Sequence, residues 1–196
     1  VSVLVAPSMP IASALLISLA TGLAAKRAIF EITGLEVDIR WPNDLLLDGR
    51  KCGGILVETA VSPADISAEA MLRYAVIGIG INLNHTSFPE ELSGLATSLL
   101  IQGGSAVSRE SILVSLLRAL EDEIRLLRAE DENLSMKGLL RRFTEASSWV
   151  RGKRVRVDES GGYTGLTAGL NDSGFLLVDS DDGSKRIVLS GGVREE

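Results

Sequence analysis

The feature that most constrains this chain is the dipeptide Asp48-Gly49, set between Asp44-Leu45-Leu46-Leu47 and the run from Arg50 to Glu58. Asp-Gly supplies the positive φ angles of a two-residue turn, so the flanking runs are expected to pair as an antiparallel hairpin. A strict two-residue loop sets Leu47 opposite Arg50, Leu46 opposite Lys51, Leu45 opposite Cys52 and Asp44 opposite Gly53. Alternation then puts Asp44, Leu46 and Lys51 on one face. Asp44 and Lys51 become diagonal neighbours, about 7–8 Å apart at the backbone and within side-chain reach. Gly53 beside them leaves a slot, and a glycine inside a strand often marks a ligand or a close backbone approach. A bulge at Pro42 or at Gly53-Gly54 would shift this register.

Two readings of the pair follow. In the chemical one, Lys51 stabilises negative charge on a carboxylate or phosphate during acyl activation. Asp44 then orients a metal or an incoming amine, or accepts its proton. In the plainer one, the two form a cross-strand ion pair on a solvated face. A second strand, Gly78-Ile79-Gly80-Ile81-Asn82, has the same duality. Ile77, Ile79 and Ile81 make one face greasy. Gly78, Gly80 and Asn82 strip the other, so that it forms either a floor for a flat ring or a surface packed under a helix. The spacing is not that of a dinucleotide fingerprint.

Around these segments, Val1 to Ala6 reads as a strand. Ser8 and Pro10 suit the start of a helix through Ile11, Leu15, Leu19 and Leu23 that stops near Gly34. Val37, Ile39 and Trp41 alternate with charged residues as a half-buried strand, and Leu72 to Leu83 forms another. Ser108 opens a helix whose stripe is Leu113, Leu116, Leu117, Leu120, Ile124 and Leu127. A further helix covers Leu134 to Ser147. Beyond Trp149 come short strands, Lys153–Val157, Tyr163–Leu170, Phe175–Val178 and Lys185–Leu189, broken by Ser160-Gly161-Gly162, Asn171-Asp172-Ser173-Gly174 and Asp181-Asp182-Gly183. This texture predicts a small antiparallel barrel or sandwich, similar to an SH3-like domain. The division falls between residues 1–147 and 148–196.

Composition removes other classes. The 196 residues are 45% hydrophobic and 23% charged, enough to bury a core. Cys52 and His85 are the sole cysteine and histidine, which excludes an internal disulfide and a Cys- or His-rich zinc site within this sequence. A net charge of −6 with dispersed Lys and Arg argues against a dedicated nucleic-acid binder. Arg151, Lys153, Arg154 and Arg156 do cluster, but acidic neighbours offset them and aromatics for base stacking are few. No charge precedes Lys26, so no secretory signal is expected. The apolar stretch Ile11–Ala25 is short for a membrane span and carries Ser13, Ser18 and Thr21, so a helix buried against a sheet is preferred to an anchor. A lone cysteine fits a reducing, cytoplasmic setting.

Trp41-Pro42-Asn43-Asp44, Lys51 and Gly54-Ile55-Leu56-Val57-Glu58, followed by Gly78-Ile79-Gly80-Ile81-Asn82 and Ala96-Thr97-Ser98-Leu99, resemble the signature runs of the biotin–protein ligase family. The resemblance covers essentially the whole chain, and the hairpin motif is the specific part. It implies an α+β fold, with a class II synthetase-like mixed sheet and flanking helices followed by the SH3-like barrel. It implies ATP, Mg2+ and biotin, with biotinyl-5′-AMP as intermediate and a biotin carboxyl carrier domain of acetyl-CoA carboxylase or a related carboxylase as acceptor. Lys51 and Asp44 take the catalytic positions. Asn43, Gly53, Gly54, Gly78, Gly80, Ile81 and Asn82 take positions against substrate or nucleotide, and Asp44 and Asn82 lie near the metal carried by ATP. A homodimer is left open beside a monomer.

Two departures stand out. Arg40 occupies a position where the family usually has lysine. The family's G-R-G-R-x-G loop, and the strands that hold the biotin ring, are expected upstream of Val1, together with any DNA-binding repressor domain. The alternatives are a non-catalytic remnant or carrier-binding scaffold and, more remotely, a lipoate-type ligase.

Overall fold

The computed structural model describes residues 1–61, 70–128, 135–159, 161–190 and 192–196. Leu134 and Ser160 of the expected elements lie outside them. The first sheet has five strands in the order β1 (Ser2–Val5), β5 (Leu72–Ile81), β4 (Arg50–Val61), β3 (Asp44–Leu47) and β2 (Asp38–Arg40). Every pairing in it is antiparallel. The expectation of a mixed sheet is therefore corrected. Strands β2, β3 and β4 are joined by tight turns, which allow only antiparallel neighbours. The one parallel element among the described residues is an isolated bridge between Lys51 and Ala96.

One face of this sheet carries Val3, Ile55, Val57, Ile77 and Ile79 into the core. That core also takes in α1 (Ala14–Thr33), α3 (Arg109–Leu127) and α4 (Met136–Ala146). Helix α1 is buried on nearly every side through its middle, from Leu16 to Ala25. A helix apolar all round belongs in a core or a membrane. Ile11–Thr33 is long and apolar enough for a span by length and composition, but α3, α4 and the sheet already cover much of it. Gly34, in the left-handed region at φ 71°, ends the helix as expected. Its start differs: Ser8 does not cap it, and the chain enters through a 3-10 turn, Ile11–Ser13. In α3, capped by Ser108, the buried stripe runs through Ile112, Ser115, Leu116, Ala119 and Leu120. Leu113 and Leu117 stand exposed at its margin, because the hundred-degree step per residue carries them off the inner face.

The second sheet is antiparallel, with order β10 (Val193–Glu195), β6 (Arg151–Val157), β7 (Tyr163–Leu170), β8 (Leu176–Ser180) and β9 (Lys185–Val188). Strand β10 was not foreseen. It is three residues long, too short for alternation to register. Ser147 Oγ donates to the Ile39 carbonyl at 2.6 Å, and Ser148 donates from its amide and hydroxyl to the Asp38 carboxylate. Residues leading into the second sheet are thereby tied to β2.

Candidate active site

The hairpin forms with Asp48 and Gly49 at φ 50° and 70°, the twisted turn that Asp-Gly favours. Leu47 faces Arg50 and Leu46 faces Lys51, as expected. The ladder then slips: Leu45 faces Gly53 and Asp44 faces Gly54, so Cys52 is the extra residue of a bulge. The reason is local. Cys52 is fully buried, and its carbonyl accepts from the Asn82 amide at 2.7 Å as β4 passes from the hairpin to its long pairing with β5.

This slip corrects the slot. An ideal Cβ on Gly54, not Gly53, would point at the pair, 3.3 Å from Lys51 Nζ and 3.7 Å from Asp44 Oδ1. On Gly53 a Cβ would instead meet the Gly80 carbonyl oxygen at 2.7 Å. Gly53 thus answers a backbone contact. It pairs with Ile81, and both turn away from the charged pair. Ile81 lines a cavity of about 430 Å3 on that other side, with Leu83, His85 and Arg109.

Asp44, Gly54 and Gly80 therefore lie in one row across three strands, with Gly78 two residues further along β5. A Cβ on Gly80 would meet nothing within 4 Å. The row opens onto the face where Leu56 and Leu4 stand 61% and 64% exposed. Lys51 and Asp44 form a salt bridge at its end through Nζ and Oδ1. The Lys51 side chain is 47% exposed and that of Asp44 only 16%. The ammonium can therefore reach a ligand while the carboxylate is sheltered. Oδ2 of Asp44 is taken by Arg40, from Nη2 at 2.5 Å and Nε at 3.2 Å.

Lys51 is also held by its backbone. Its amide donates to Leu95 O at 2.8 Å and its carbonyl accepts from Thr97 at 2.9 Å. Asn82 Nδ2 donates to Thr97 O at 3.1 Å, and Ser98 Oγ donates to His85 O at 2.6 Å. The Ala96-Thr97-Ser98-Leu99 run thus closes a loop from His85 back onto Lys51. The residue types gave no sign of that contact. Asn43 is committed structurally: its Nδ2 donates to Ile55 O at 2.7 Å and its carbonyl accepts from the Ile55 amide.

No group of three or more His, Cys, Asp or Glu among the described residues could hold a metal. Both Asp44 oxygens are occupied by cationic side chains. The residues present do not make a protein-built cation site. A Mg2+ here would be held chiefly by the phosphates that carry it.

Residues 1–82 match the Biotin/lipoate A/B protein ligase family, and residues 151–193 match the Biotin protein ligase C terminal domain. The chain is 30% identical over 189 residues to the bifunctional ligase/repressor BirA of Bacillus subtilis, covering 95% of this chain and 55% of that protein. The chain belongs to the biotin protein ligase family. A second member of the family, the biotin–[acetyl-CoA-carboxylase] ligase of Mycobacterium tuberculosis, is 34% identical over 181 residues, covering 90% of this chain and 60% of that protein. The chain thus spans little more than half the length of these biotin protein ligases. A solved structure, the biotin protein ligase of Aquifex aeolicus in complex with biotin and ATP, matches with a TM-score of 0.79 at 26% identity, covering all of this chain and 77% of that one.

Proposed function

We propose that the protein containing this chain is a biotin–protein ligase. It would activate biotin with ATP to biotinyl-5′-AMP and pass it to a lysine of a biotin carboxyl carrier domain. The observation that carries the reading is the half-exposed Lys51 ammonium paired with Asp44 at the end of a glycine-floored row. The family relationship and the biotin- and ATP-bound relative support it.

In the first step a biotin carboxylate oxygen attacks the α-phosphorus and the bond to pyrophosphate breaks. Charge builds on oxygens at the reacting centre. A flexible ammonium beside an open slot is suited to follow that charge from carboxylate to acyl phosphate. In the second step the carrier lysine attacks the acyl carbon and AMP leaves. The amine must shed a proton, and Asp44 Oδ1 is our candidate to receive it. Gly80 leaves room for the acyl chain along the floor and Gly78 extends that room along β5, while Gly54 makes way for the end of the Lys51 side chain. Asn82, tied to Thr97, is our candidate contact to the nucleotide. Mg2+ carried by ATP would supply neutralisation of the phosphates.

We place the division between the catalytic and C-terminal domains at residues 147 and 148, with the second sheet as the SH3-like barrel. The solitary buried thiol accords with a cytoplasmic enzyme. The test is to incubate the full-length protein with biotin and ATP labelled at the α-phosphate, in Mg2+, and then add an apo-carrier domain. Labelled biotinyl-AMP, followed by a carrier gaining one biotin, is expected. Absence of both products would replace this reading with a carrier-binding scaffold.

A further inference from the structure

Arg40, the position that departs from the family pattern, sits where the two sheets meet. It is the last residue of β2 and lies directly opposite Asp44 in register. Its guanidinium donates twice to Asp44 Oδ2, and it also lies over the indole of Trp149, 5.4 Å from the ring centroid. Lys153 places its ammonium 5.0 Å from the centroid of the same ring and bonds Glu195 Oε1 at 2.6 Å. Five side chains, Glu195, Lys153, Trp149, Arg40 and Asp44, thus run from the edge of the second sheet to the reacting pair.

The ring is a fixed platform. Trp149 is buried, and its amide donates to Ser147 Oγ at 3.2 Å. That same Oγ donates to the carbonyl of Ile39, the residue before Arg40. Backbone and side chain of Arg40 are held from one direction. A guanidinium can lie flat on an aromatic ring and use its edge as a fork at once, which an ammonium cannot do. Arg40 takes both donor contacts to a single carboxylate oxygen, so turning the carboxylate would break both bonds at once. Oδ1 alone is presented to Lys51 and to the slot over Gly54.

We propose that Arg40 is the positioning residue for Asp44 and that Trp149 is the platform that holds it, so that the second sheet sets the orientation of the reacting carboxylate. This rests on the ligase reading above. Arg40 would act on turnover and not on capture of biotin or carrier.

The experiment uses the full-length protein with Arg40→Gln, Arg40→Lys, Trp149→Leu, Trp149→Phe and the double variant Arg40→Gln/Trp149→Leu. Misplacing a reacting group by about 1 Å can cost on the order of a hundredfold, so Arg40→Gln should lower kcat of carrier biotinylation by roughly 10- to 100-fold. KM for biotin and carrier should stay within about twofold, and Arg40→Lys should recover part of the loss. Trp149→Leu should lower kcat in the same sense, and the double variant should be no slower than Arg40→Gln alone, because the two act as one unit. If Trp149→Leu does not fold, Trp149→Phe, with a weaker ring, should show a smaller loss in the same sense, one that disappears in the Arg40→Gln background.

A second readout is independent of turnover. The Arg40 Nε–H resonance in a nitrogen-15 spectrum should be protected from solvent exchange. It should lose protection in Asp44→Asn and in Trp149→Leu, while Trp149→Phe keeps most of it. Wild-type kcat in Arg40→Gln, effects of the two substitutions that multiply, or protection persisting in Trp149→Leu would each overturn the proposal while leaving the ligase reading intact. A wild-type protein that forms no biotinyl-AMP would overturn the ligase reading, and the role of Arg40 with it.

Discussion

Trp41 and Gly174 meet through a buried hydrogen bond, the indole Nε1 donating to the glycine carbonyl at 2.9 Å. The indole belongs to the Trp-Pro-Asn-Asp run and the carbonyl to the turn between β7 and β8. Gly174 has φ 85°, and a Cβ there would lie 3.0 Å from Leu19 and 3.2 Å from Leu16. The turn is therefore pressed onto α1 and tied to Trp41, two residues before Asn43. Trp41→Phe would leave the carbonyl without its donor in a dry site. The expected loss is about 2 kcal/mol, read as a shift of the urea midpoint.

The glycines of the site divide into two kinds that a simple pair of variants separates. Gly53→Ala would push a methyl against the Gly80 carbonyl, and backbone on both sides cannot yield cheaply. It should destabilise the fold by about 1–3 kcal/mol. Gly80→Ala meets open space, so the melting temperature should hold or rise slightly. Biotin affinity of the full-length protein by calorimetry should nevertheless fall, because the methyl takes up room on the floor.

Lys51→Ala should leave stability within about 0.5 kcal/mol, since the ammonium is half-exposed. Formation of biotinyl-AMP should fall by roughly 100- to 1000-fold, the scale of losing one preorganised donor to developing charge. Labelled adenylate in a single-turnover assay reads it directly. A variant that retains full activity would reduce the pair to a surface ion pair.

Burial pushes the Cys52 thiol from its ordinary 9.0 up to about 12. In the folded protein the thiol keeps its proton through the interval where the unfolded chain has lost it. The unfolded state then binds fewer protons, so stability from this group is intact below about pH 9 and drains away as pH rises from there towards 12, by about 1.4 kcal/mol per pH unit. The difference in unfolding free energy between wild type and Cys52→Ala should narrow over that interval. A thiol-reactive probe at pH 8 should label the protein only on unfolding.

Much of this was legible in the residues. Asp48-Gly49 announced the hairpin, and alternation separated the isoleucine and glycine faces of β5, because both signals are local. The pairing of Asp44 with Lys51 was also within reach, since it depends only on counting from the turn. The bulge was not, because nothing in Cys52 itself says that its carbonyl will be claimed by Asn82 thirty residues later. The docking of Leu95–Thr97 on Lys51, the Trp41–Gly174 bond and the stack of Arg40 on Trp149 were equally silent. Each joins residues distant in sequence, and each depends on how the sheets and helices finally pack.

The extra residue at Cys52 leaves β4 with two pleats that are out of step. Ahead of it, alternation is timed by the Asp48-Gly49 turn; behind it, by the long partnership with β5. Only this change of phase lets Lys51 and Gly54, three residues apart, look the same way. The strand behaves as two keys cut on one blade. A change near the turn could exchange the charged group while the floor stays as it is, and a change beyond Gly54 could reshape the floor while the charge stays in place. Chemistry and fit can therefore drift separately along a single strand, with one buried thiol as the joint between them.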